Sequence, residues 1–386
     1  MRHINRILET MRFARYAVGI SLLFIAIYPS FAHAQAEVVP ENITIEKAKV
    51  LEAFNQHTVI IEGTETPSTV QTLRAQILEG DEKGKIVTFD NDFIQLKAGD
   101  LFYIRHFISS SVDGRDYYTV SDAYRINVLT ALIVVFLVLL FFFGGIQGIR
   151  GLVSLLGSFV LIFFVLLPGI LNGYSPILVS IGVSSLIIIV GSYITHGYNK
   201  TTTAAVLGMI ATVVITGLGA YYVIHIGNLS GFTTEENVYL NFNTRGGINM
   251  IGLLFGGIMI GLLGVLYDIA IGQAIAVEEL FRAGKHLTRP EIYKRAIRIG
   301  REHIGALVNT LAIAYVGVAL PLLLLLQQTS ENSNLGSILN SEMFATEVIR
   351  ILIGSIGLIL GVPITTLIAS YMLSEKDAKA KQTHHH

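Results

Sequence analysis

The chain changes its hydrophobic rhythm twice. After Arg125 it becomes a series of long apolar segments separated by short polar connections. These predict membrane spans near 127–146, 151–171, 175–195, 203–226, 249–276, 303–327 and 346–373, each near the roughly 20 residues that cross a bilayer as helix. Between Gln35 and Arg125 the pattern is instead short and alternating. Leu73, Ala75 and Ile77 interleave with Thr72, Arg74 and Gln76, a period of 2 that predicts a half-buried strand. The run Thr58-Val59-Ile60-Ile61-Glu62 is short and β-branched, and turn chemistry recurs at Gly80-Asp81, Lys83-Gly84, Gly99-Asp100 and Asp113-Gly114. Residues 35–125 are therefore expected to form a small all-β barrel or sandwich, its last strand, Tyr117 to Tyr124, running almost directly into the first span.

The first 34 residues have a third pattern. Arg2, Arg6, Arg12 and Arg15 precede an apolar run from Tyr16 to about Tyr28, then Pro29 and Ala32-His33-Ala34. A basic start, a short apolar stretch and a small-residue site read as a secretory signal peptide cut after Ala34, or as an uncleaved first helix of the same orientation. The fold class expected is an α-helical polytopic membrane protein of seven spans (126–373), preceded by a signal peptide or first helix and a small extracytoplasmic β-domain. Residues 374–386 form a tail ending in a His remnant.

Composition agrees. Of 386 residues, 52% are hydrophobic and 14% charged, against about 25% charged in ordinary soluble domains. There is no Cys, which excludes disulfides and thiolate chemistry, and no Trp, so interfacial anchoring falls to the 16 Tyr. The net charge of −1 hides segregation. Between Ile126 and Thr234 the only charges are Arg150 and Lys200, while the connection 277–304 carries Arg282, Lys285, Arg289, Lys294, Arg295, Arg298 and Arg301. The connections 228–248 and 328–345 hold Glu235, Glu236, Glu331 and Glu342 against Arg245 alone. One topology satisfies the positive-inside rule: both termini inside, residues 35–125 outside. Thr288 and Glu291 form a capping-box pair before Ile292, Ala296 and Ile299, which predicts an amphipathic helix over about 289–301 on the inner membrane surface. Its basic residues read as a lipid-facing surface, and no nucleic-acid partner is expected.

Candidate chemistry concentrates in one span and its neighbour. Gly252, Gly256, Gly257, Gly261 and Gly264 recur at small-x-x-x-small spacing, which lets helix backbones approach closely. Asp268 lies further along the same segment, about 12 Å inside the bilayer if the helix leaves it near Ala276. A carboxylate at that depth costs about 2.5–3.5 kcal/mol on insertion scales, so it calls for a partner, a cavity or an ion path. Glu279, eleven residues on, returns to nearly the same face, whereas Gln273 and Glu278 lie on others. On the next span Arg301, Gly305 and Asn309 are spaced i, i+4, i+8. This places Asn309 and Thr310 at a depth where they can bond Asp268, with Arg301 or Arg298 opposite Glu279. A buried clasp that only fixes helix register is the alternative to a proton or cation route. No zinc spacing, phosphate loop or nucleophile elbow occurs, so neither an enzyme nor a cofactor is expected.

The stretch Gly261-Leu-Leu-Gly-Val-Leu-Tyr-Asp268-Ile-Ala-Ile-Gly-Gln-Ala-Ile-Ala-Val-Glu-Glu279 resembles the YibE/F family of bacterial membrane proteins, as does Ile299-Gly-Arg-Glu-His-Ile-Gly-Ala-Leu-Val-Asn309-Thr-Leu-Ala-Ile-Ala-Tyr315. The similarity runs from about Leu129 to Ser370 and implies a multi-pass protein of the bacterial cytoplasmic membrane. A fainter likeness is to the SecF half of the SecDF export motor, whose motif has Arg soon after its Asp where this chain has Ile269-Ala270-Ile271. The expected function is an ion- or proton-coupled permease built on Asp268, with Asn309 and Thr310 orienting it and Glu279 with Arg301 as an inner gate. The alternative is a non-transporting export or assembly factor whose outer domain binds a client. The lipid bilayer is the expected surrounding, and self-association is left open.

Overall fold

A computed structural model describes residues 43–60, 67–107, 117–284, 287–329 and 334–374. The expected signal peptide or first helix (1–34), the Asp113-Gly114 turn and the tail beyond Ser374 lie outside the described residues. The chain divides after Phe143 into two compact units.

The first unit carries five strands among the described residues: β1 (Ile43–Ile60), β2 (Pro67–Ile77), β3 (Ile86–Asn91), β4 (Leu101–Phe107) and β5 (Tyr117–Ala123). They form one antiparallel sheet in the order β3-β2-β1-β4-β5. The alternation of Leu73, Ala75 and Ile77 holds, for all three are fully buried. Register sets Ala75 between Val50 and Val87, Leu73 opposite Phe89, and Ala48 between Ile77 and Phe102. Phe89 and Phe102 meet with ring centroids 6.3 Å apart. Gly80, Gly84 and Gly99 take positive φ at three of the expected turns.

The edge strands β3 and β5 approach one another, so the sheet curls into an open half-barrel rather than a sandwich. Its seam is polar. The Tyr118 hydroxyl donates to Glu82 (2.8 Å), and Lys85 donates to both Glu82 (2.6 Å) and Tyr118 (2.8 Å). His106 stacks on Tyr118 at 4.4 Å, with Nδ1 3.6 Å from Glu82. Burial alone would raise the Glu82 carboxyl, but bonds from Lys85 and Tyr118 and the charge of His106 outweigh it and hold its pKa below the usual value. The bond to Glu82 in turn holds the Lys85 ammonium above its ordinary pKa. Beyond the core, residues 51–60 of β1 are exposed along their whole length.

Only Tyr124 and Arg125 separate β5 from α1 (Ile126–Leu161). Lys47 sits 4.2 Å over the Tyr124 ring, which ties this junction to the sheet. The helix breaks at Gly145 (φ 52°, ψ −142°) and runs through a π-helical turn (Ile162–Leu166) into α2 (Leu167–Leu171). The whole stretch Ile126–Leu171 has 46 residues, enough for two passes at about 20 residues each.

The second unit continues with α3 (Pro176–His196), α4 (Lys200–Ile226), α5 (Glu235–Asn243), α6 (Met250–Ala283), α7 (Arg289–Val318), α8 (Leu320–Thr329), α9 (Leu335–Leu339) and α10 (Glu342–Met372). Among the described residues five helical stretches are long and apolar enough to cross a membrane: Ile126–Leu171, α3, α4, α6 and α10. The count differs from the seven spans expected for identifiable reasons. The first two expected spans form one helical stretch broken at Gly145. The expected span 303–327 is divided between α7 and α8, which part at Ala319 beside Pro321, where proline removes a backbone donor.

The basic segment 289–301 is not a separate surface helix either. It is the first part of α7, continuous with the remaining residues of that helix up to Val318. Its capping box is present, with the Thr288 N–H donating to Glu291 at 2.8 Å. The buried stripe is Ile292, Ala296 and Gly300, while Ile299 is 41% exposed, so the face is i, i+4, i+8 rather than the one expected.

Helix α6 is the hub, packed against α3, α4, α7 and α10. Small residues make the close approaches. A side chain on Gly252 would meet the Pro176 ring within 2.6 Å, and one on Gly256 would meet Ser180 Oγ within 2.7 Å. Gly357 of α10 receives Thr216 and Leu262 in the same way, and Gly208 of α4 receives Thr365.

Candidate functional site

Asp268 is the nineteenth of the 34 residues of α6. It lies in a row of exposed positions, Gly257, Gly261, Gly264, Asp268, Gly272, Ile275 and Glu279, whose spacings of three and four keep them on one helical face. The glycine run thus divides its work. Gly252 and Gly256 bury themselves against α3, Gly261 accommodates the Tyr315 hydroxyl of α7, and Gly257 and Gly264 meet nothing within 4 Å. Gly305 on α7 is open as well. Asn309 and Thr310 are exposed, and Thr310 donates to Ala306 O of its own helix at 2.9 Å. Among the described residues no hydrogen bond joins Asp268 to either. Glu279 pairs with Arg282 at 2.8 Å rather than with Arg301, which is exposed. Asp268 and Glu279 therefore share the open face of α6, and Arg301, Asn309 and Thr310 are exposed on α7, with no bond between the two sets among the described residues.

The polar groups that do bond across helices are ones that helical spacing alone does not single out. Gln273 is 2% exposed, and its amide lies 2.8 Å from Thr366 Oγ1, 3.2 Å from Ala296 O and 3.2 Å from Gly300 N. Thr366 already donates its single proton to Val362 O at 2.6 Å. Gln273 Nε2 therefore donates to Thr366 and Ala296 O, and its Oε1 accepts from the Gly300 N–H. One amide thereby links α6, α7 and α10 at a point where α7 has no Cβ to obstruct it.

Glu278, 4% exposed, accepts from Thr201 Oγ1 at 2.7 Å and lies 3.4 Å from Arg282. Thr201 sits in the first turn of α4, where Asn199 caps the helix by accepting from Thr202 N at 2.9 Å. The positive end of that helix favours a carboxylate there. Beside it, a cavity of about 60 Å³ is lined on one side by His196, Asn199, Thr201 and Thr202 and on the other by α6 between Ile271 and Ile275.

At the opposite end, Glu342 accepts from Ser230 N (2.7 Å), Ser230 Oγ (2.8 Å) and Gly231 N (2.8 Å), which fastens the loop before α5 to the start of α10. Gly231 has φ +84°, and a Cβ there would run into the Met250 backbone, so only glycine suits this turn. Two turns into α10, Arg350 pairs with Glu347 at 3.1 Å and sits 5.8 Å from the Tyr315 ring. The i, i+3 spacing of Glu347 and Arg350 is a signal the sequence carries. So is the spacing of Ser180, Ser184 and Ser192, which puts three buried hydroxyls on one face of α3.

The comparison with protein families gives one result that covers most of this region: a family model described as YibE/F-like protein matches residues 132–375. No curated protein and no solved structure matches the chain.

Proposed function

The chain belongs to the YibE/F-like family, and from that premise we propose that it is an ion- or proton-coupled membrane carrier in which Asp268 is the loading group. The observation that carries the reading is a carboxylate at the middle of a 34-residue apolar helix, on a glycine-rich face that stays open. Protonated, that side chain is compatible with hydrocarbon. Ionised, it costs about 2.5–3.5 kcal/mol until a polar counterpart covers it. Asn309 and Thr310, exposed on the adjoining helix, are the counterpart in this reading. In this reading the end carrying Lys200, Arg282, Arg289, Lys294, Arg295 and Arg298 faces the cytoplasm, the β-domain lies outside, and Glu278 with Thr201 joins Glu279 and Arg282 at the inner mouth.

The test is proton flux into proteoliposomes under an imposed pH gradient, read with an entrapped pH dye. Asp268→Asn, which keeps size and removes titration, is expected to abolish flux. Flux at the wild-type rate in that variant would falsify the assignment, as would wild-type protein that passes no protons.

One observation favours a second reading, in which the outer domain binds a client for export or assembly. Residues 51–60 of β1, with Phe54 37%, Val59 37% and Ile60 69% exposed, present apolar side chains beyond the sheet core. Replacing Phe54, Val59 and Ile60 with Ser should release a co-purifying protein while leaving proton flux intact. Retention of the partner would remove this reading.

A further inference from the structure

The cavity at the basic end of α3, α4 and α6 is not among the residues that led to the carrier reading, yet it has a composition suited to water. A site holds water when it is roomy and supplies two to four polar partners, with roughly 10–15 Å³ needed for each molecule. Here about 60 Å³ is available, and four of the seven lining residues, His196, Asn199, Thr201 and Thr202, carry polar side chains. Thr201, one of the lining residues, donates to Glu278 at 2.7 Å, so a buried carboxylate is bonded to the polar wall.

The opposite wall is the turn of α6 just beyond Asp268. Ile271 and Ile275 are i+3 and i+7 from Asp268, about 4.5 and 10.5 Å along the axis at 1.5 Å per residue. The His196 ring lies 6.0 Å from that of Tyr267, the residue before the acid. The cavity therefore begins one helical turn from Asp268 and extends toward the end of the bundle where the charged residues lie. Of the titratable groups, His196 lines it, Tyr267 packs beside His196, and Glu278 is bonded to Thr201 of its wall.

We infer that this cavity is a water-filled vestibule, entered from the basic end, through which a proton passes between bulk water and Asp268. The carboxylic acid of Asp268 gives its proton to the nearest water, the water chain delivers it to the solvent, and the carboxylate is left to be covered or reloaded. Hydration of the cavity stands independently; the connection to flux rests on the carrier reading above.

Because the chain contains no Cys, single cysteines report access directly. Thr202→Cys and Ile271→Cys, reconstituted in sealed vesicles, would be exposed to a charged, membrane-impermeant thiol reagent from each side. Lys294→Cys marks the basic face, and Met259→Cys, at a fully buried position of α6, sets the rate for dry packing. The expected result is that both vestibule cysteines react from the face that labels Lys294→Cys and faster than Met259→Cys, and that labelling Ile271→Cys stops proton flux. Reaction no faster than Met259→Cys, with the variants inserted and labelled after denaturation, overturns the vestibule. So does reaction from the other face. Labelling of Ile271→Cys that leaves flux unchanged overturns the connection to Asp268. Wild-type flux in Asp268→Asn ends the carrier reading but does not alter the labelling pattern, so the two failures are told apart.

Discussion

Gly300 should be a position where the usual helix-favouring exchange reverses sign. A Cβ there would overlap the Gln273 amide and come within 2.6 Å of Val362 Cγ1. Gln273 would have to leave, and with it the contacts to Gly300 N, Ala296 O and Thr366. Interhelical hydrogen bonds in membranes average about 0.6 kcal/mol, so three amount to roughly 2 kcal/mol. Overpacking against Val362 adds about 1–3 kcal/mol. Alanine in place of glycine within a helix returns about 0.5–1 kcal/mol. Gly300→Ala is therefore expected to destabilise the protein by about 2–4 kcal/mol. Gly305→Ala, five residues along the same helix with nothing within 4 Å, should be neutral or stabilising by up to about 1 kcal/mol. Equilibrium unfolding of the full chain in mixed micelles, monitored by circular dichroism, measures both. A double-mutant cycle supplies the internal check: once Gln273→Ala has cleared the space, Gly300→Ala should cost much less than it does alone. If Gly300→Ala is as stable as Gly305→Ala, or if the two changes add, the three-helix junction does not exist as described.

Other contacts make separable predictions. Glu82 titrates below its ordinary carboxyl value when folded, so its contribution is present above that ordinary value and is lost as pH falls through the lower folded one. Glu82→Gln should flatten this acid limb in thermal unfolding of the β-sheet signal, with an effect below about 1 kcal/mol because Lys85 is substantially exposed. Glu342→Gln weakens the anchoring of Ser230 and Gly231. Hydrogen exchange at those amides should rise in proportion to a loss of about 1.5–3 kcal/mol, the range for bonds to a charged group. Unchanged protection would show that the loop is held by its backbone alone. Arg350→Met leaves Glu347 without its partner inside the bundle and should lower the unfolding midpoint more than Arg350→Met combined with Glu347→Gln. Equal midpoints would mean that the pair is solvated.

The parts of this molecule that are legible in its sequence are those governed by one-dimensional periodicity. Leu73, Ala75 and Ile77 alternate, and they are buried. Thr288 and Glu291 cap a helix because the motif is local. A helical wheel, however, groups residues by face without telling which face the rest of the fold covers. Asp268 and Glu279 do share a face, but theirs is the open one. Gln273 and Glu278, which point elsewhere, are the ones buried and bonded. The start of the helix that carries the expected span 303–327 is misread for a related reason. A basic, polar segment such as 289–301 looks like the end of a helix in a hydropathy profile, yet Ile292, Ala296 and Gly300 give it a buried stripe, and the helix runs on unbroken to Val318. Glu347 and Arg350 carry a local signal in their i, i+3 spacing, but that spacing does not tell that Tyr315 of α7 packs beside them.

The openness of the Asp268 face sharpens what a proton could do there. An ionised carboxylate in hydrocarbon is penalised by about 2.5–3.5 kcal/mol, which corresponds to a shift of roughly two orders of magnitude between two arrangements of the same helices. In the proposed carrier, loading and unloading one proton at Asp268 would therefore switch this face from one that prefers lipid to one that prefers a polar cover, provided something can approach it. Glycine at 257, 264 and 272 leaves no side chain in the way of such an approach. The buried side of α6 offers the opposite property, since Gln273 locks it to α7 and α10 and Glu278 locks it to the start of α4. A helix held on one face and open on the other at Gly257, Gly264 and Gly272 can sense protonation without losing its own packing, so the moving element of the proposed carrier is expected against α6 rather than within it.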